Sequence, residues 1–322
     1  MNLRPVHALL LFSTLVTSCH KSAANTNGLN TITLQTDWYP QPEMGGFYEA
    51  QSEGLYKAAG LDVTIAPGGP YVSAEQEVAS GKAQFAMGSS DQVLVANSHG
   101  LPLVAVAATM QQDPQAIMVH AESPVHTFAD LNGHAVAARP GSIWFQYLVH
   151  RYGLSNVREI PATYSLSNFL HDPGYIQQIF VTSEPYFAQK EGAQVRTLLI
   201  SATGYQPYRV TFTSQQFLKA HPDLVQKFTD ASLQGWKDYI ANPGPINAQL
   251  QKLNPNMSPD LMNFSINTLK SDRFLTGDDT PASHLGHMEP DRWTTLYQQL
   301  VDLKVITQPF DPRQAYTTQF VP

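Results

Sequence analysis

The residues best suited to chemistry in this chain lie in short turns between apolar runs. Asp37-Trp38-Tyr39-Pro40-Gln41-Pro42 sets two aromatic rings between a carboxylate and two prolines. The prolines restrict the backbone, so Trp38 and Tyr39 form a stiff apolar face with Asp37 as an adjacent acceptor. Such a face can stack on a planar ligand, or the rings can pack on their own domain. Pro67-Gly68-Gly69-Pro70 allows a ligand close to the backbone at Gly69, or makes a tight turn. Gly88-Ser89-Ser90-Asp91 places the hydroxyls of Ser89 and Ser90 at a predicted helix start, as ligand contacts or as caps. Arg139-Pro140-Gly141-Ser142 repeats this design, and amides at Gly141 and Ser142 suit a carboxylate, sulfonate or carbonyl oxygen. Glu184, in Thr182-Ser183-Glu184-Pro185, is either an acceptor for ligand N–H groups or a dipole partner of its own helix. Tyr205, in Gly204-Tyr205-Gln206-Pro207-Tyr208, can line a cleft.

No catalytic constellation emerges. The chain has no Gly-x-Ser-x-Gly, His-Glu-x-x-His, Gly-x-Gly-x-x-Gly or phosphate-loop motif. His284 and His287 stand at a spacing compatible with a metal, but a glycine-containing surface loop is the simpler reading. One cysteine excludes a disulfide framework, an all-cysteine zinc site and an iron–sulfur cluster. Lys and Arg number 19 against 26 Asp and Glu, and the net charge of −7 argues against a nucleic-acid partner. With 43% hydrophobic, 10% aromatic and only 14% charged residues, a disordered chain is excluded as well. The expected protein therefore has no cofactor, no metal and no catalytic residue.

Positioning these turns requires strands and helices in alternation. Strand patterns fall at 31–36, 61–66, 84–87 and 103–109, with helical spacing at 45–59, 73–80 and 91–99 between them. A second set has strands at 135–138, 157–160, 178–181 and 195–200, with helices at 142–152 and 185–191. Such alternation predicts βαβ units and parallel sheets. Helices alone follow from 223 onward, and they are expected to pack back on the first unit. The apolar segments 115–120 and 208–213 read as two crossings between lobes. Lobe one is then 31–118 plus 209–322, and lobe two is 119–208. Loops of two such α/β lobes, facing each other, build a cleft that closes by hinge motion.

The first residues address the chain elsewhere. Arg4, an apolar run over 8–16 and then Thr17-Ser18-Cys19 describe a secretory signal, too short to span a bilayer. Val16-Thr17-Ser18-Cys19 also resembles the bacterial lipobox, in which the cysteine is acylated after cleavage. The alternative is an ordinary signal peptide with a chance cysteine. The lipobox reading makes 1–18 a lipoprotein signal peptide and 19–30 a flexible leash. It places the protein outside the cytoplasm, on the periplasmic or outer face of the envelope.

Several segments together resemble a known family. These are Asp37-Trp38-Tyr39-Pro40, Gly46-Phe47-Tyr48-Glu49-Ala50, Glu53-Gly54-Leu55-Tyr56 and Ala59-Gly60-Leu61-Asp62-Val63. Gly81-Lys82-Ala83-Gln84-Phe85, Phe128-Ala129-Asp130-Leu131-Asn132-Gly133 and Val181-Thr182-Ser183-Glu184-Pro185-Tyr186 continue the likeness, which fades after about Trp236. The pattern is similar to periplasmic solute-binding proteins of ABC importers, in the group of thiamine-pyrimidine-precursor, sulfonate/taurine and nitrate receptors. The resemblance implies a two-lobed type II binding-protein fold with a helical tail on lobe one. Its ligand loops fall on Trp38 and Tyr39, on Ser89 and Ser90, and on Gly141 and Ser142. It implies a monomeric, lipid-anchored receptor that serves an ABC permease and ATPase. The Asp-Trp start favours a small, planar, nitrogen-containing ligand similar to the thiamine pyrimidine precursor. An alkylsulfonate, taurine or nitrate receptor is the alternative. A pyrimidine-synthase-like enzyme is the second alternative, although the cysteine cluster of that iron-dependent branch has no counterpart beyond Cys19.

Anchoring is open to a direct test. Cys19→Ala is expected to move the protein from the membrane fraction to the soluble fraction of the periplasm or medium. Retention in the membrane after that change would refute lipidation at Cys19.

Overall fold

The computed structural model describes residues 28–277 and 285–321. Its first part runs β1 (Asn30–Gln35), α1 (Gly45–Ser52), α2 (Leu55–Ala58), β2 (Leu61–Ala66), α3 (Ala74–Ala79), β3 (Phe85–Ser89), α4 (Ser90–Ser98) and β4 (Leu103–Met110). The second part runs β5 (Gln115–His120), β6 (Ala135–Ala138), α5 (Ile143–Tyr152), β7 (Arg158–Pro161), α6 (Ser167–His171), β8 (Ile176–Phe180), α7 (Glu184–Lys190) and β9 (Val195–Leu199). The chain returns through β10 (Arg209–Ser214) and ends in α8 (Gln215–Ala220), α9 (Pro222–Ala241), α10 (Gly244–Leu253), α11 (Pro259–Ser271) and α12 (Pro290–Asp302).

Two five-stranded sheets organise the two lobes, in the orders β2-β1-β3-β10-β4 and β7-β6-β8-β5-β9. β4 reads Leu-Val-Ala-Val-Ala-Ala-Thr-Met and is buried at every position, as a strand covered on both faces must be. β1 pairs in parallel with β2 and β3, and β6 pairs in parallel with β7 and β8. β10 and β5 run antiparallel to both of their neighbours. The sheets are therefore mixed, where alternation alone predicted parallel ones. Each antiparallel strand is the one that has just crossed from the other lobe. It begins at the cleft, where the parallel strands end, so it must run the opposite way.

The register also corrects a boundary. Met118 sits inside β5, opposite Gln177 and Thr197 of the second sheet. The first crossing therefore lies before Gln115, earlier than the division expected at 118. The helix expected over 45–59 is interrupted at Gly54, whose φ of 73° no continuing helix adopts. α6 and α8 are additional short helices that the periodicity missed.

The tail helices cover the first sheet, and α9 makes the tightest contact. A Cβ on Gly235 would lie 2.3 Å from Gly46 O, and one on Gly46 would lie 2.2 Å from Trp236 Cγ. α1 and α9 thus cross almost backbone to backbone. Beside them Phe228 stacks on Phe85 and Tyr56, with ring centroids 3.9 Å and 5.3 Å away. No helix among the described residues is long and apolar enough to cross a membrane.

The crossing of α1 and α9 yields a stability prediction. In Gly235→Ala the new methyl meets backbone that cannot rotate away, so the helices must separate. Overpacking of this kind costs ~1–3 kcal/mol, and a thermal melt should show a drop of at least ~3 °C. An unchanged midpoint would mean that the helices are not held at this spacing.

Candidate functional site

The carboxyl ends of the parallel strands and both crossings converge on one pocket, about 360 Å³ with the space open to solvent at its mouth included. The loop after β1 contributes Asp37, Trp38 and Gln41, and the turn that follows adds Glu43 and Met44. Met87 of β3 and Met110 of β4 form the apolar floor. Pro114 of the first crossing, Phe180 at the end of β8 and Arg209 at the start of β10 complete the walls. Together with Met44, these two methionines give the pocket a polarizable surface that adapts to an aromatic ring.

Electrostatics centre on Arg209. Its Nη2 donates to Asp37 Oδ2, and its Nη1 lies 3.7 Å from Asp113 Oδ2. The Arg209 side chain is only 10% exposed, and burial lowers its pKa to about 10. Burial pushes Asp113 up to about 7, although the Gln115 N–H bonded to its carboxylate and the nearby Arg292 pull the other way. Asp37 Oδ1 is buried without a hydrogen-bond partner. Glu43, also buried, accepts from Thr182 Oγ1, and Ser265 Oγ of α11 reaches Thr182 O at 2.6 Å. Thr182 belongs to the loop after β8, so this chain of contacts joins the facing surfaces of the lobes.

Aromatic residues frame the mouth. The Trp38 ring lies 5.5 Å from Tyr39 and 5.6 Å from Tyr164, which reaches over from the second lobe. Tyr39 is 49% exposed and Tyr164 is 52% exposed, so both rings have free faces. A Cβ on Gly69 would come within 3.3 Å of Tyr39 Oη, so this glycine makes room for the ring.

The comparisons agree with this geometry. The NMT1/THI5-like family model matches residues 41–246. The chain belongs to that family. The riboflavin-binding protein RibY of Chloroflexus aurantiacus is 26% identical to it, over 100% of this chain and 99% of that one. The formylaminopyrimidine-binding protein of Halalkalibacterium halodurans is 33% identical over 40% of this chain and 39% of its own length. The periplasmic aliphatic sulphonate binding protein SsuA of Escherichia coli has the same fold. Its TM-score is 0.67 at 14% identity, over 88% of this chain and 91% of that one. The NMT1/THI5-like protein thus has the two-lobed periplasmic-binding-protein fold.

Within this NMT1/THI5-like chain, the residues singled out from sequence separate into two groups. Asp37 and Trp38 line the pocket, with Tyr39 and Gly69 beside them at its mouth. Ser89 lies at the end of β3, opposite Arg209 in the ladder, and caps α4 in a box with Gln92. The others make contacts of their own. Ser90 Oγ accepts from Tyr208 N at 2.9 Å and joins α4 to the second crossing. The amides of Gly141 and Ser142, expected to hold a ligand oxygen, donate instead to the Glu159 carboxylate at 3.2 Å each. Glu184 accepts from Phe180 N at 2.9 Å, and burial raises its pKa. Tyr205 is buried and donates to Asp91 at 2.5 Å, away from the pocket. Arg209, Glu43, Phe180 and the three methionines escaped the sequence reading. One signal was present for Arg209: a lone cation in the apolar run Tyr208-Arg209-Val210 must find a buried partner. His284 and Cys19 lie outside the described residues.

The raised pKa of Asp113 has a measurable consequence. Between its ordinary value of 3.8 and about 7 the folded state keeps a proton that the unfolded chain releases. The contribution of this group to stability is therefore full below the lower value and is lost as pH rises through the upper one. Melts of wild type and Asp113→Asn from pH 4 to 8 should show wild type losing ground to the variant as pH rises. A constant difference across that range would contradict the assignment.

Proposed function

We propose that this NMT1/THI5-like protein is the substrate-binding lipoprotein of an ABC importer. It captures a small planar ligand with ring N–H groups in the cleft and delivers it to a permease. The observation that carries the reading is the state of the pocket charges. Arg209, the only cation among the pocket's lining residues, is committed to Asp37 and Asp113, while Asp37 Oδ1 has no partner. A carboxylate oxygen without a partner, next to an indole and a floor of thioethers, suits an aromatic ring with N–H donors at its edge. A small anion would need a free cation or free amides, and the amides at Gly141 and Ser142 are spent on Glu159. The full-length relative and the partial one carry names of flavin and pyrimidine binding, which supports a heterocyclic ligand. Binding without turnover is part of the proposal, as are export, a monomeric state and a lipid anchor at Cys19. Ligand contacts are assigned to Asp37, Trp38 and Tyr39, with Ser89 and Gly69 at the margin.

Calorimetric titration with riboflavin, formylaminopyrimidine and taurine tests the reading. One of the two heterocycles should bind and be recovered unchanged. Trp38→Ala should weaken that binding about tenfold, ~1.4 kcal/mol, with little change in the melting temperature of the empty protein. Binding of taurine alone would overturn the proposal in favour of an anion receptor, and conversion of a heterocycle would favour an enzyme.

A further inference from the structure

Backbone contacts locate the pivot between the lobes. On the first crossing, Arg292 Nη2 of α12 donates to Gln111 O at 2.6 Å, and Gln112 N donates to Phe274 O at 3.0 Å. Both partners belong to the helical tail on lobe one. Pro114 O, two residues after Gln112, accepts from Val181 N of lobe two at 3.0 Å. Asp113 is the residue between these two allegiances. On the second crossing, Tyr147 Oη of α5 donates to Thr203 O at 2.9 Å. The next carbonyl, Gly204 O, accepts from Gln299 of α12 at 3.1 Å, and Gln206 O accepts from Arg292 at 2.7 Å. The change of allegiance falls between Thr203 and Gly204, where φ is +89° and only glycine turns without strain.

Arg209 connects this pivot to the pocket. Its guanidinium touches Asp37, a wall of the pocket, and stands 3.7 Å from Asp113. Asp113 in turn accepts from Gln115 N at 3.0 Å, at the first residue of β5 in the second lobe. We propose that Arg209 is a positioning residue that couples ligand contact at Asp37 to the pivot at Asp113. The proposal rests on the reading that Asp37 meets the ligand. One guanidinium is shared unequally between two carboxylates, and in a buried site such competition is strongly felt. A donor on Asp37 withdraws charge from its contact with Arg209. The guanidinium then shifts toward Asp113, where 3.7 Å leaves room to close to a direct hydrogen bond. Asp113 carries that pull to the start of β5. Arg292 keeps the lobe-one side of both crossings fixed while this happens, with its guanidinium 3.7 Å from the Tyr208 ring centroid.

A double-mutant cycle without ligand tests the coupling, so that a failure of the heterocycle reading stays distinguishable. Spin labels are placed on Lys57→Cys and Glu122→Cys, both exposed and on different lobes, in the full chain with Cys19→Ser. Asp37→Asn withdraws the same charge that a ligand would engage. It is expected to change the ratio of the interlobe distance populations about fivefold or more. The same substitution in an Asp113→Asn background should produce no such change. Equal shifts in both backgrounds, or no shift in either, would overturn the proposal. A purely structural Arg209 would give lowered melting temperatures without this non-additivity. Should the double variant fail to fold, hydrogen exchange on Asp37→Asn alone decides. Altered protection at 113–116 and 203–205 is expected, and unaltered protection there would refute the coupling.

Discussion

The guanidinium of Arg209 holds carboxylates from two distant parts of the chain, Asp37 after the first strand and Asp113 on the first crossing. All three groups are largely removed from water, so loss of the guanidinium would leave Asp37 without its counter-charge. Much of the site follows from this constraint. Arg209 stands at the cleft end of β10, which lies between β3 and β4. Asp37 must turn inward, which carries Trp38 to the rim. The site is consequently built from segments that are far apart in sequence and meet only where the strands end.

The second structural theme is the use of spare polar groups. Amides at a helix start are a general anion site, yet here α5 begins on Glu159, an acid of the same lobe. Glu184 likewise serves the Phe180 amide, and Ser90 serves Tyr208. These groups keep the fold rather than offering themselves to solvent. Asp37 Oδ1 is the exception among the pocket walls, buried without a hydrogen-bond partner. Likeness of fold to a sulfonate-binding protein does not carry the ligand with it, because ligand choice resides in such individual atoms.

The helical tail has a role beyond covering the first sheet. α9 presses on α1 through Gly46 and Gly235, which fixes the turn bearing Glu43 and Met44. α11 offers Ser265 to the second lobe at Thr182. α12 reaches both crossings through Arg292 and the second through Gln299 as well. The tail therefore determines which residues of the connection belong rigidly to lobe one. Its sequence shows only amphipathic helices, because contacts to carbonyls of a distant segment leave no periodic mark.

What the sequence determined was local: β2 over 61–66 and β6 over 135–138 were legible to the residue, since an apolar strand bounded by turn residues is a short-range pattern. That Trp38 stands on the loop after the first strand, and so among the pocket-lining residues, was likewise legible, because that loop is a local pattern. Tertiary structure decided the rest. The antiparallel sense of β5 and β10 depends on where a crossing enters the sheet, which no propensity encodes. Glu159 reaches Gly141 and Ser142 across 18 and 17 residues, and Arg209 reaches Asp37 across 172. A polar side chain reads the same in sequence whether its partner is a ligand or a distant residue of its own chain. Only the folded protein, by burying both members of a pair together, decides between them.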